Sequence, residues 1–322
     1  MGIDDRSLLT MDIVLLFPGQ GSQKPGMAKD LVEAFPQARA VFDTVDSALG
    51  TQLSTLCFNG PAEELTATHN AQPALLTHGA AVWAIVKEKI RPYVRAAAGH
   101  SLGEFSAYHA AGSLLLGSAA KLVRRRGQLM HEAGVARPGT MAALLGTMSE
   151  SVDSMCAKAS AGNGIVVPAN YNSPEQIVIS GEVNAVERVM QLARDAGAKR
   201  AIRLPVAGAF HSPLMAPAGE GLRGALATSG ITDPEFPVYS NVTTNAVTTG
   251  PDAADLLVKQ LTSPVRWVDL VKNIAAAYPD ALYVEMGPGS VLTGLLPRIV
   301  PGLKAQACGT PADVEKLLAQ AA

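Results

Sequence analysis

Short unbroken apolar runs alternate with helix-period stretches along most of the chain, the rhythm of an α/β fold. Residues 12–17 and the small and β-branched residues 94–98 both predict buried strands. Between them the pattern predicts a helix opened by Pro36 and closed by Gly50, with Ala38, Val41, Val45, Ala48 and Leu49 on one face. Gly60-Pro61-Ala62-Glu63-Glu64 starts another, with acid in its first turn. A longer helix is expected after Asn70-Ala71-Gln72-Pro73, running to Lys89. Residues 105–111 predict a helix ended by Gly112, and residues 118–133 a further one.

The pattern changes over residues 138–206. Strand 140–145, helix 149–159, strands 165–170 and 176–180, helix 183–196 and strand 199–204 follow one another. The order βαββαβ is that of a ferredoxin-like unit, inserted in a larger α/β body whose rhythm resumes afterwards. That later part predicts strand 237–242, helices 252–261 and 269–277, strand 281–286, and a helix from Val291. The last dozen residues predict a modest helix or a fraying tail. The expected division is a core of residues 11–135 and 207–322 and a small subdomain of 136–206. Residues 1–10 are polar and mixed, and are expected to be a disordered leader with Met11 as the functional start.

The centre of this arrangement is Gly99-His100-Ser101-Leu102-Gly103-Glu104, between a strand and a helix. Gly-x-Ser-x-Gly in that setting is a nucleophile elbow: a serine on a strained turn, with neighbours lacking bulk and free N–H groups at the helix start. A plain glycine-rich connection with a serine cap is the alternative. Of the six histidines, His211 is best placed to be its base, because Ser212 and Pro213 resemble an N-cap and N1 just beyond it. His109 lies two turns down the elbow helix, roughly 12 Å away by helical rise. His100 should point away from the site, and His69, His78 and His131 have packing explanations.

Arg126 falls on the apolar stripe 119, 122, 123, 126 and 130 of its helix, while Arg124 and Arg125 point to solvent. A cation directed inward must meet an anion, either an internal carboxylate or a substrate carboxylate. Pro18-Gly19-Gln20-Gly21-Ser22-Gln23 follows the first strand but has neither the Gly-x-Gly-x-x-Gly spacing nor a P-loop lysine. It is a plain turn or a loop that aims a backbone N–H into a site.

Composition narrows the class further. A chain of 322 residues, 48% hydrophobic and 17% charged, can bury a large core. A formal charge of −2 gives no pull toward nucleic acid or membrane. Cys57, Cys156 and Cys308 lie far apart, which argues against a disulfide framework or zinc site and for a reducing cytoplasm. No apolar run approaches the ~20 residues of a membrane span, and no signal-peptide pattern opens the sequence.

Phe17-Pro18-Gly19-Gln20-Gly21-Ser22-Gln23, Gly99-His100-Ser101-Leu102-Gly103-Glu104, Arg126-Gly127 and Phe210-His211-Ser212 occur together and in this order. With Gln260-Leu261, Pro264-Val265, Trp267 and Gly287-Pro288-Gly289, they make the chain closely resemble the malonyl-CoA:acyl-carrier-protein transacylases of fatty-acid and polyketide synthesis. The resemblance spans Met11 to about Ile299.

It implies an α/β-hydrolase-like core with the active site in a cleft against the ferredoxin-like unit. Ser101 would be the nucleophile and His211 its base, with the Gln20 and Leu102 backbone N–H groups as oxyanion hole. The histidine would be oriented by the Gln260 main-chain carbonyl. Arg126 would clamp the malonyl carboxylate. Gln260, Gln72, Asn170 and Phe210 would complete the substrate site, Phe210 leaving little room for an α-methyl group. No metal or cofactor is implied, only a CoA thioester and the phosphopantetheine of a carrier protein. Malonyl-CoA and an acidic acyl carrier protein are the partners, and family members are often monomers. Arg124, Arg125, Lys199, Arg200 and Arg298 are candidates for a basic docking patch. A polyketide acyltransferase acting in trans, a serine hydrolase or thioesterase, and a non-catalytic scaffold are the rival readings.

Overall fold

Ile13-Val14-Leu15-Leu16-Phe17 is buried along its whole length, which only a strand covered on both faces permits. The computed structural model describes residues 11–161, 164–206 and 208–320; the expected leader, 1–10, lies outside them. Ten strands are present among the described residues: β1 (Ile13–Phe17), β2 (Val94–Gly99), β3 (Thr140–Leu145), β4 (Val166–Ser173), β5 (Gln176–Gly181), β6 (Arg200–Arg203), β7 (Val238–Tyr239), β8 (Ala246–Val247), β9 (Leu282–Met286) and β10 (Lys304–Cys308).

They form two sheets. The larger has the order β10-β9-β1-β2-β7-β8, all parallel except the β7–β8 pair. Its two faces pack into separate cores, one holding Leu15 and Phe17 and the other Val14, Leu16, Trp267 and Ile274. The smaller sheet, β4-β5-β3-β6, is antiparallel throughout. Ala142, Leu144 and Ile179 pack under the helices Val152–Ser160 and Val183–Asp195, while Met141, Ala143 and Val178 face the main core. This period-two alternation buries both faces. One parallel bridge, Asn170 to Val265, ties the small sheet to the larger body, with Tyr171 N–H donating to Val265 O at 2.9 Å.

The register that matters most pairs Phe17 with Gly99, and His100 N–H extends the ladder to Phe17 O at 3.0 Å. The loops leaving β1 and β2 therefore start side by side at the carboxyl ends of the parallel strands, where open α/β sheets form sites.

Several sequence expectations need correction. The long helix begins at Thr68, not after Pro73, so Pro73 lies inside it. Packing overrides the local preference there: a Cβ on Gly127 of the neighbouring helix would come 2.6 Å from His69 Cα, so the two backbones are in contact. Helices Lys29–Ala34, Leu53–Asn59 and Ala218–Ala227, and the edge strand β10, carry too few periodic positions to stand out. The last described residues form the helix Pro311–Gln320, one of the two outcomes expected there. Only Val238–Tyr239 of the expected strand 237–242 pairs, because Asn241 turns aside into the site.

Candidate active site

Two glycines make the turn after β2 possible. A Cβ on Gly99 would lie 1.8 Å from Gly103 C, and one on Gly103 would lie 2.1 Å from Phe17 O. The elbow thus closes on itself and on β1, and Ser101 between them is held at φ 51°, in the left-handed region. That strain of order 1–3 kcal/mol persists only where the surroundings over-determine it. They do so here: Ser101 N–H donates to Asn241 Oδ1 at 2.7 Å, Asn241 Nδ2 donates to Gly99 O at 2.7 Å, and Gln260 Nε2 donates to Ser101 O at 3.0 Å.

His211 arrives from the other side, also in the left-handed region at φ 57°. Ser212 Oγ accepts from Leu214 N–H and caps the short 3-10 turn Pro213–Met215, with Ser212 and Pro213 in the N-cap and N1 places their sequence suggests. His211 Nε2 lies 2.7 Å from Ser101 Oγ, and Nδ1 lies 2.9 Å from Gln260 O. A carbonyl only accepts, so Nδ1 carries the proton and Nε2 is free to accept from the serine hydroxyl. Burial, and next the Arg126 charge, push His211 down to about 3. It is neutral in the resting site.

Arg126 is 1% exposed, the inward position its helical period predicts. It donates to Gln72 Oε1 at 2.9 Å, to Gln260 Oε1 at 2.8 Å and to Ser101 Oγ at 3.2 Å. Its side chain also lies over the Phe105 ring, 5.3 Å from the centroid. Burial lowers it to about 10, so it remains a cation at neutral pH. No carboxylate among the described residues forms an ion pair with it. Its Nε–H has no acceptor.

These groups open on a cleft of about 260 Å³ lined by Gln20, His100, Ser101, Leu102, Arg126, Met130, Met141, Asn170, Leu204, Phe210 and His211, among others. Among the described residues, the backbone N–H groups of Gln20 and Leu102 donate to no protein acceptor. A larger depression of about 700 Å³, by Trp83, Lys87, Arg91 and His109, holds none of the elbow's groups.

The expected site residues therefore divide. Gln20, Ser101, Leu102, Arg126, Asn170, Phe210 and His211 line the cleft. Gln72 and Gln260 are not among its lining residues: they are buried and each accepts a hydrogen bond from the Arg126 guanidinium. The amide of Gln72 is pinned in turn against Met130 Sδ at 3.4 Å. His100 lines the cleft as well, but its Nε2 is engaged with Asn172 Oδ1 at 2.8 Å and its ring packs by Trp267. Arg124 is half-buried and donates to Asn70 Oδ1, not solvent-facing as its helical position suggested. Arg125, Lys199, Arg200 and Arg298 are exposed, Lys199 and Arg200 side by side at the start of β6 and the other two on separate helices.

Asn241 and Glu104 are functional neighbours that sequence reasoning missed. Asn241 follows no motif. Glu104 stood in the elbow motif itself, in the first turn of the helix Gly103–Ala110.

A model of the acyl transferase domain family matches residues 14–308. The chain belongs to that family. It is 46% identical over 304 residues to the malonyl CoA-acyl carrier protein transacylase of Bacillus subtilis, covering 94% of this chain and 95% of that protein. Its identity to the Escherichia coli K12 protein of the same name is 42% over 303 residues, 94% of this chain and 97% of the relative. The acyl-carrier-protein S-malonyltransferase of Bartonella henselae superposes with a TM-score of 0.91 at 42% identity, covering 97% and 99% of the two chains. A malonyl-transacylase solved in complex with a type II PKS acyl-carrier protein gives 0.91 at 40% identity, covering 96% and 99%.

Proposed function

We propose that the chain transfers the malonyl group of malonyl-CoA, through a Ser101 acyl-enzyme, to the phosphopantetheine thiol of an acyl carrier protein, supplying extender units for fatty-acid synthesis. The observation that carries this reading is the buried Arg126, 3.2 Å from Ser101 Oγ, in the wall of the cleft. A simple serine hydrolase has no use for a cation there. A dicarboxylic acyl group does, because its free carboxylate supplies the anion that Arg126 lacks within the protein.

The chemistry follows from the geometry. His211 Nε2 takes the Ser101 proton as Oγ attacks the thioester carbonyl. The Gln20 and Leu102 N–H groups stabilise the oxyanion. Collapse expels the CoA thiolate, which receives the proton from His211. The carrier thiol then gives its proton to His211, attacks the acyl-serine, and the Ser101 oxygen leaves with that proton. The Gln260 carbonyl holds the imidazole throughout, as a carboxylate does in other serine triads. The CoA thioester is the substrate, and no resident cofactor enters these steps.

The large parallel sheet is read as α/β-hydrolase-like, 11–135 and 207–322. The β4-β5-β3-β6 unit is read as a ferredoxin-like subdomain, 136–206, supported by its strand order and two helices. The cleft is their boundary, with Asn170 and Phe210 in its walls. A cytoplasmic monomer suits this work, and among the described residues no helix is long and apolar enough to cross a membrane.

Intact-protein mass spectrometry after brief mixing with malonyl-CoA tests the reading. A malonyl adduct is expected on the wild type and absent from Ser101→Ala, and holo carrier protein should discharge it. Release of free CoA with no adduct and no need for an acceptor would instead establish a thioesterase. The relative solved with a type II PKS carrier favours a second acceptor class. Comparing discharge by fatty-acid and polyketide carriers decides between them.

A further inference from the structure

Glu104 is fully buried on the elbow helix, where a carboxylate is costly unless every lone pair is used. Its Oε2 accepts from Gln260 Nε2 at 2.7 Å and from Asn241 N–H at 3.1 Å, while Oε1 has no partner. No lysine, arginine or histidine forms an ion pair with it among the described residues. A hydrophobic side chain would fill such a position at less cost. The carboxylate therefore serves something other than packing.

What it serves is visible in the Gln260 amide. That side chain has two faces, an oxygen that accepts and an NH₂ that donates. Only one orientation suits Arg126, because a guanidinium donates and never accepts. Glu104 supplies the acceptor that holds the NH₂ group on the elbow side, leaving Oε1 toward Arg126 at 2.8 Å. Rotate the amide by half a turn and two donor groups face each other in a buried site. Ser101 O, at 3.0 Å from Gln260 Nε2, favours the same orientation. Gln72 fixes the other arm of the guanidinium independently.

We propose that Glu104 is a positioning residue for the carboxylate clamp: through the Gln260 side chain it holds the Arg126 guanidinium in register with Ser101. The role belongs to acceptor geometry. Either the carboxylate or a neutral carbonyl oxygen at the Oε2 position performs it, and an acceptor withdrawn by one methylene does not. The inference rests on the malonyl-transfer reading for its effect on selectivity, though not for its effect on the guanidinium.

Two conservative variants separate these cases. Glu104→Gln keeps an oxygen at the same reach, and Glu104→Asp pulls it back by one carbon. The first readout is the ratio of kcat/KM for malonyl-CoA over acetyl-CoA, since a loss of general packing lowers both donors together. E104D is expected to reduce this ratio about 10-fold or more, mainly through malonyl-CoA, and E104Q to keep it within about 3-fold of wild type. The second readout is the Arg126 guanidinium ¹⁵N–¹H signal, assigned by its absence from Arg126→Lys. Wild type and E104Q should show dispersed, slowly exchanging signals, and E104D averaged ones. An E104D protein that matches wild type in both readouts overturns the proposal, as does an equal loss toward both donors with an unchanged guanidinium signal. If the guanidinium follows the expected pattern but wild type shows no preference for malonyl-CoA, positioning stands and the malonyl reading falls.

Discussion

β1 and β2 are neighbouring parallel strands that end together at the elbow, whereas β3 lies in a separate antiparallel sheet that walls the cleft from the other side. Around the first pair the structure concentrates strain and buried polarity. Ser101 and His211 occupy the left-handed region, and Arg126, Glu104 and Gln260 are withdrawn from water. Around the second it builds an ordinary half-sheet whose inner face, with Met141 and Asn170, walls the cleft. Of these two regions, the elbow side carries the left-handed non-glycine residues and the buried charged groups among the described residues. The covering sheet shapes the space and contributes no ionised group to the reacting cluster. Changes at the buried charged groups of the elbow side should therefore have large effects, and changes at apolar residues of the cleft wall smaller ones.

The largest effect that sharpens this contrast is at Arg126. Arg126→Ala should lower kcat/KM for malonyl-CoA by about 10² or more, from the ~2–5 kcal/mol attached to truncating one partner of a buried charged pair. The rate with acetyl-CoA should change little, so steady-state kinetics with both donors check it. Equal losses for the two would show that the arginine only supports the elbow. The wall gives a smaller effect. Phe210 is 6% exposed and lines the cleft beside His211. Phe210→Ala should improve methylmalonyl-CoA relative to malonyl-CoA by roughly 10-fold, the scale of one methyl group in an apolar pocket. A preference that does not move would place the α-carbon of the acyl group elsewhere in the cleft.

The same contrast explains what was legible in the sequence. The elbow glycines, the inward Arg126 and the small βαββαβ order are written in local spacing, and a strand, a turn or a helical stripe reports them. The start of the helix around Gln72 is hidden, because Pro73 signals a break that contact with Gly127 overrides. Asn241 and Gln260 lie 137 and 156 residues from Glu104 along the chain, and a buried polar cluster has no period to betray it. Glu104 was in view within the motif, but its partner oxygen and donors come together only in three dimensions. The polar lining of a site is thus the part that local pattern conveys least.

The smallest expected effect is none at all, and it tests the electrostatics of the elbow side. An ordinary histidine protonates near pH 6.5 and then fails as a base. His211 is held down to about 3, first by burial and then by Arg126, with His100 adding to the same effect and the hydrogen bond to the Gln260 carbonyl opposing it. Its neutral form is the one the fold stabilises. That stabilisation is complete above about pH 6.5 and is lost as pH falls from there toward the folded value. The rate at which a neutral fluorophosphonate labels Ser101 should therefore run level through pH 6.5 and decline only well below it. In Arg126→Gln the nearest cation is gone while the burial stays, so the decline should begin at a higher pH than in wild type. A wild-type inflection at 6.5 would mean that His211 meets water in solution, and that the dry, charged elbow side differs less from the covering sheet than its packing indicates.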